Sequence, residues 1–506
     1  MRPAITRAEI AALLAVAQDH AFAQPPGSQL RATVLGQRLA GAAGLDSAAR
    51  ATTWWTSALR FLGCTGHAFD MSVVFGDEIE MRAESMEADF ANPFDMLRLM
   101  VNHAGPGTAG VARLRSILSV LAGGKKAAEL NFRSACEVAD VFAKRLDLDE
   151  GVRASLASSF ERWNGRGLPL GRKATNIPLP MRVAQLSQEL EVLARIEGID
   201  QARAVIRRRR AKAYDPELTD VVLAHATQWW AEVEPVDPWD AALAAAPPCP
   251  PLSKEQAHEA LLVLADFSDL KSPWLGGHSR AVAELAAAAG GPMAEAAALV
   301  HDLGRVAVPN TVWDKPSSLT RDERDRAEVH ALVTDQLLRR LPYTAPLATI
   351  ASSAHERSDG SGYHRHATAA HLDDAQRVLA AADAYQAMVS DRPHRPARSR
   401  ESAATELRAM AGAGRLDGEA TERVLAAAGH RRDRHPTLPA GLTPREAEVL
   451  RLLALGLTTR VISEQLVISA KTADHHIQHV YTKIGVSTRG AAALFAIEQG
   501  ILPRER

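Results

Sequence analysis

Two strings of this 506-residue chain align without a gap with two others 195 positions downstream. That self-similarity constrains the fold more than any other feature. Residues 160–170 read FERWNGRGLPL and residues 182–193 read RVAQLSQELEVL. Their counterparts are HERSDGSGYHR at 355–365 and RVLAAADAYQAM at 377–388. At that one offset Glu161 pairs with Glu356, Arg162 with Arg357, Gly165 with Gly360, Gly167 with Gly362, and Arg182-Val183 with Arg377-Val378. Upstream, ALRFLG at 58–63 echoes ALVHDLG at 298–304. An internal duplication predicts two halves of one architecture, each large enough for its own core.

Within both halves apolar residues recur at helical spacing, and almost nothing alternates as a strand does. Alanine and leucine, the strongest helix formers, dominate many windows. The fold class predicted is all-α: two tandem helical domains followed by a small four-helix module. Two proline-punctuated stretches read as linkers. They divide the chain into a first domain at 1–233, a Pro/Ala-rich linker at 234–253, a second domain at 254–429, a basic linker at 430–440 and a C-terminal module at 441–503.

The net charge of -1 hides an asymmetry: residues 431–506 carry a net +4, the rest a net -5. A basic tail on an acidic body suits a nucleic-acid contact. Three widely spaced cysteines, Cys64, Cys136 and Cys249, support neither a disulfide framework nor a CxxC metal knuckle. With no apolar run of membrane-spanning length, a cytoplasmic protein without a membrane partner is the expectation.

The C-terminal text has helix punctuation throughout. Thr443, Pro444 and Glu446 form a capping box with proline at the first helical position. Thr459 is read as the cap of a short second helix and Ser469 as the cap of a third at about 470–484, which Gly485 stops. A fourth follows Ser487-Thr488. A short helix, a tight turn and a longer polar helix form the geometry that enters a major groove. The strings TPREAEVLRLLALGL, ISEQLVIS, KT followed by His476, and KIGVSTR resemble the LuxR-type helix-turn-helix family over some 60 residues. The resemblance implies double-stranded DNA as partner. It makes Lys471, Thr472, His475, His476 and His479 the groove-facing side chains, and Arg460, Lys483 and Arg489 the phosphate contacts. Asp474 stands where a basic residue is common, which weakens non-specific binding and favours a homodimer.

The second half holds histidines and aspartates in apolar surroundings: His278, His301-Asp302, His330, His355 and Asp383. Buried ionisable groups need partners, and imidazoles and carboxylates from several helices can converge on one or two divalent cations. The strings HSRAVAEL, LVHDLGRVAVPN, HERSDGSGY and ADAYQAMVSDRPHRPA resemble the HD-GYP branch of HD-domain phosphohydrolases in order and spacing. The resemblance implies a helical fold, a divalent metal (iron, manganese or zinc) and cleavage of cyclic di-GMP. Its metal ligands here would be His278, His301, Asp302, His330, His355 and Asp383. Asp302 would bridge two metals and act in catalysis with Arg305. Three departures stand out: Ala354 replaces a ligand histidine, Arg305 replaces a lysine, and Gly362-Tyr363-His364 replaces Gly-Tyr-Pro. The first points to a mononuclear site, or to one that binds without turnover.

The first half has lost these groups. Arg60-Phe61 stands at His301-Asp302, Phe160 at His355, Gln188 at Asp383, and Ser28 near the first histidine. It reads as a pseudo-domain. Together the motifs predict a DNA-binding transcription regulator whose second domain binds metal and a nucleotide or other phosphorylated ligand. The rival is an active phosphodiesterase for cyclic dinucleotides with an accessory helix-turn-helix.

Overall fold

The computed structural model describes residues 4–89, 92–103, 110–429 and 438–502. Among them the regular elements are helices, joined by turns and four isolated β-bridges. None of those helices is long and apolar enough to cross a membrane. The chain divides into two compact units, Ala4–Gln256 and Ala257–Arg506.

In the first unit, helix Arg7–Ala21 starts at a capping box of Thr6 and Glu9 and is buried along most of its length. Helices Ser28–Ala42, Leu179–Glu197, Ile199–Arg209 and Pro216–Val233 close a core around Leu35, Leu39, Leu186, Leu190, Ile206, Val222 and Trp229. Trp54 is fully buried, and its indole N–H donates to the Ala242 carbonyl at 2.9 Å. That contact corrects the expected linker at 234–253. Residues Pro238–Ala244 form a helix, capped by Asp237 with proline at its start, and Leu252 N–H donates to the Ile5 carbonyl at 2.8 Å. Proline-rich composition marks where a helix begins as readily as where structure ends.

In the second unit, Lys254–Asp269, His278–Val300, Arg321–Leu338 and Asp374–Val389 are the main helices. His278–Val300 is interrupted at Gly291 (φ 77°) before Pro292, so its two segments follow different directions. The C-terminal helices Pro444–Ala454, Thr459–Gln465, Ala470–Ile484 and Arg489–Glu498 belong to this unit. The cap of the second of these is Thr458, one residue before the predicted Thr459; its hydroxyl accepts from Val461 N–H. Ala473, Ile477 and Val480 form the buried stripe of the third. Of the basic linker at 430–440, residues 430–437 lie outside the described residues, and Pro439–Gly441 form a turn.

The duplication is visible in backbone contacts that the sequence strings do not contain. A Cβ on Gly63 would lie 1.8 Å from the Ala135 carbonyl oxygen, and one on Gly304 would lie 2.1 Å from that of His330. Glu161 accepts Leu170 N–H at 2.7 Å, just as Glu356 accepts Arg365 N–H at 2.7 Å. Asp19 accepts Gln29 N–H at 3.0 Å, and Asp269 accepts Ser279 N–H at 2.9 Å. The last pair places Ser28 at the position equivalent to His278.

Candidate metal centre and nucleic-acid interface

Five segments of the second unit bring the six sequence-predicted residues together. His278 opens its helix after Gly277, whose left-handed backbone (φ 78°) suits glycine. Asp269 fixes this corner by accepting both the N–H (2.9 Å) and the hydroxyl (2.7 Å) of Ser279. His301 and Asp302 follow the end of the same helix and lead into the short turn Leu303–Ala307. That turn presses onto Arg321–Leu338, where Thr334 Oγ1 accepts Gly304 N–H at 2.9 Å and donates to the His301 carbonyl at 3.1 Å. His330 lies within that helix, and Asp383 within Asp374–Val389. His355 lies in a loop held shut by the Glu356 carboxylate, which accepts from Arg365 and Ala367 N–H.

The donors fall into two triads, His278–His301–Asp383 and Asp302–His330–His355, with the ligand atoms of each within 4.8 Å of one another. Each carboxylate faces both. Asp302 Oδ2 is 3.4 Å from His301 Nε2 and 3.7 Å from His278 Nε2, while its Oδ1 is 3.7 Å from His330 Nε2. Asp383 Oδ1 is 3.2 Å from His278 Nε2, while its Oδ2 is 3.5 Å from His355 Nδ1. The Nδ1–H groups of His301 and His330 are hydrogen-bonded to the Ala298 (2.7 Å) and Ala327 (2.6 Å) carbonyls, which turns each Nε2 lone pair inward. Among the described residues, Nε2 of His278, His301, His330 and His355 and Oδ1 of Asp302 make no hydrogen bond of good geometry, while Asp302 Oδ2 faces the Arg305 guanidinium. Buried polar atoms left so are costly unless a cation satisfies them. The residues therefore fit one or two divalent ions.

The electrostatics agree with a ligand set. Burial pushes His278 and His330 down to about 4, so both are neutral and able to donate a lone pair near neutral pH. Burial opposes charge on Asp302 and Asp383 too. Arg305 and the imidazoles overcome it for Asp302, and His278 and His301 for Asp383, so both carboxyls lie well below their usual range. His301 is the exception among the imidazoles: burial lowers it, but the two carboxylates hold it up to about 9.

Arg305, expected to act in catalysis with Asp302, is 2.5 Å from it through Nε, and its guanidinium lies over the Trp313 ring at 4.2 Å. Ala354 is buried and supplies no donor where the resemblance called for one. His364 and His366 belong to neither triad. Sequence reading missed Asp269, Thr334 and Trp313, and gave Tyr363 no role of its own. Tyr363 stacks on His355 with centroids 5.0 Å apart. Only Ser279, adjacent to His278, hinted at a supporting layer.

The first unit is filled where the second has ligands. Arg60 is half-buried and donates to the Ser159 carbonyl at 3.2 Å, and Phe160 stacks on Phe132 with centroids 4.3 Å apart. Among the described residues of that unit there is no triad able to hold a metal.

On the C-terminal module, Lys471, Thr472, His475 and His479 are exposed along one helix, and His476 is half-buried. His475 and His479 pair with ring centroids 4.2 Å apart. Arg460 is 80% exposed and 3.6 Å from Glu464. Two of the expected phosphate contacts also have partners within the module. Lys483 Nζ donates to Glu446 at 2.6 Å and to the Gly441 carbonyl at 3.1 Å. Arg489 donates to the carbonyls of Gly456 (2.6 Å) and Leu457 (2.9 Å). Both hold the module together, because the ends of its first helix offer a carboxylate and open carbonyls.

Residues 263–420 match the HD domain family, and residues 440–496 match the bacterial regulatory proteins of the luxR family. The chain thus carries an HD domain followed by a C-terminal domain of the LuxR type. It is 26% identical over 405 residues to 3'3'-cGAMP-specific phosphodiesterase 3 of Vibrio cholerae serotype O1, covering 77% of this chain and 87% of the relative. A crystal structure of a cyclic GMP-AMP specific phosphodiesterase from V. cholerae superposes with a TM-score of 0.58 at 23% identity, covering 85% of this chain and 99% of that one, which shows the shared fold. The C-terminal module is 45% identical over 62 residues to the transcriptional activator protein ExaE of Pseudomonas putida, covering 12% of this chain and 29% of that protein.

Proposed function

We propose that this protein is a metal-dependent phosphodiesterase of cyclic dinucleotides whose metal centre is coupled to DNA binding. The observation that carries the reading is the placement of Asp302 and Asp383, each facing both triads. His278, His301 and Asp383 would hold one cation, and Asp302, His330 and His355 a second. Divalent ions at such a site polarise a phosphodiester and activate water for attack at phosphorus. The chain's own residues prepare for this. The Ala298 and Ala327 carbonyls orient His301 and His330. Arg305 keeps Asp302 ionised and brings a fixed positive charge beside the site. The stack of Tyr363 on His355 shields one flank from water.

A second reading is a regulator that binds the nucleotide without turnover. Ala354 favours it, because one donor is absent from an otherwise complete set. Incubation of purified protein with manganese or iron and either 3'3'-cGAMP or cyclic di-GMP tests both. Product formation lost in Asp302→Ala supports the phosphodiesterase. Stoichiometric binding with no product supports the regulator. DNA affinity measured with and without metal and nucleotide tests the coupling, which must be reciprocal.

A further inference from the structure

A cavity of about 240 Å³ lies inside the second unit, between the HD domain and the C-terminal module. Its HD-side wall includes Trp274, Gln386 and Asp391, and its other wall is formed by Ile497 and Leu502 of the module. His278, a member of the first triad, belongs to the same lining. The corner between them is Gly276-Gly277. A Cβ on Gly276 would lie 2.4 Å from Leu502 Cδ1, so glycine here leaves room for that side chain of the module. A Cβ on Gly277 would meet nothing within 4 Å, which leaves that side of the corner open.

Size and chemistry narrow the occupant. Whole drug-sized ligands fill pockets of about 300–1,000 Å³, so this cavity suits one heterocycle rather than an entire dinucleotide. An aromatic ring offers a stacking face, and amide and carboxylate side chains can pair with the polar edge of a base. The apolar wall from Ile497 and Leu502 suits a flat ring as well.

We propose that this cavity seats the base of a nucleotide whose phosphate lies at the metal centre, and that Ile497 and Leu502 make the base a contact shared by the HD domain and the DNA-binding module. The inference rests on the proposed metal-centre reading and adds the place where occupancy is transmitted. A ligand seated here touches both domains, so its binding energy depends on their docking. DNA binding that shifts the docking then shifts ligand affinity in turn.

Calorimetry on the manganese-loaded full chain tests it, with inorganic phosphate, ribose 5-phosphate, AMP and GMP as probes. At least one nucleotide should bind about tenfold more tightly than ribose 5-phosphate, the scale expected of one stacked base. Trp274→Ala and Leu502→Asp should each bring that ratio close to one while inorganic phosphate binds as before. Hydrogen exchange on unmodified protein gives a second measure: the nucleotide should slow exchange in both 273–281 and 496–502. If phosphate binds but the nucleotide gains nothing over ribose 5-phosphate, or both variants keep the gain, the cavity proposal is overturned and the metal reading survives. If phosphate does not bind metal-loaded protein, both are overturned.

Discussion

Gly304 and His330 meet backbone to backbone: a Cβ on the glycine would stand 2.1 Å from the histidine's carbonyl oxygen and 2.7 Å from the Thr334 nitrogen. The turn carrying His301-Asp302 thereby sits at a set height on the helix carrying His330. Gly304→Ala should force the two apart and cost about 1–3 kcal/mol of stability. It should also separate Asp302 from His330, so metal retention measured by mass spectrometry after gel filtration should fall with the unfolding midpoint.

Asp302→Asn keeps the side chain's volume and removes its charge. The variant should lose bound metal and phosphodiester hydrolysis together. The Arg305 guanidinium would then lie buried without its carboxylate partner, which destabilises the metal-free protein as well. Urea unfolding in the presence of chelator checks that second effect. A metal-free variant as stable as unmodified protein would show that the Asp302–Arg305 pair contributes nothing.

Cations on the C-terminal module should divide into two kinds. Lys471 is exposed at the start of the third helix. Lys471→Ala should weaken DNA binding and lower the salt dependence of log K by about one charge. Lys483 is tied to Glu446 and Gly441, so Lys483→Ala should lower the melting temperature of the module with little change in salt slope. Fluorescence titrations at several salt concentrations, with thermal unfolding alongside, separate the two.

Acid below about pH 4.5 should loosen the module. Burial works against the charge of Glu446, but Lys483 and the Thr443 cap hold its carboxyl down from 4.5 to about 2. A carboxylate depressed in the folded state contributes stability above its unfolded value of 4.5, and loses it as pH falls toward about 2. Hydrogen-exchange protection factors in residues 444–454, which allow for the intrinsic slowing of exchange in acid, should therefore fall between pH 4.5 and about 2, and Glu446→Gln should remove most of that dependence.

Much of this molecule was legible from local text. Thr443-Pro444 with Glu446 marks a helix start wherever it occurs, and the first helix of the module begins there. The third helix runs Ala470–Ile484 and closes at Gly485, as its cap and stop residues required. The HD strings placed six donors in one domain because their order and spacing belong to a known architecture. Reading failed where a residue's role depends on a distant partner. Lys483 and Arg489 looked like free cations until the fold put a carboxylate and open carbonyls beside them. The stretch 234–253 looked like a linker until Trp54 supplied a partner for Ala242.

By itself the sequence determined the helical class, the duplication, the capped module and which side chains are chemically able to grip a cation. Those properties reside in short-range backbone preferences and residue identity. Only the tertiary structure decided that the six donors form two triads sharing two carboxylates, that Arg60 and Phe160 fill the equivalent space in the first unit, and that Leu502 reaches Gly276 at the corner beside His278. Such facts depend on distances between segments many residues apart, which packing sets and no local pattern encodes.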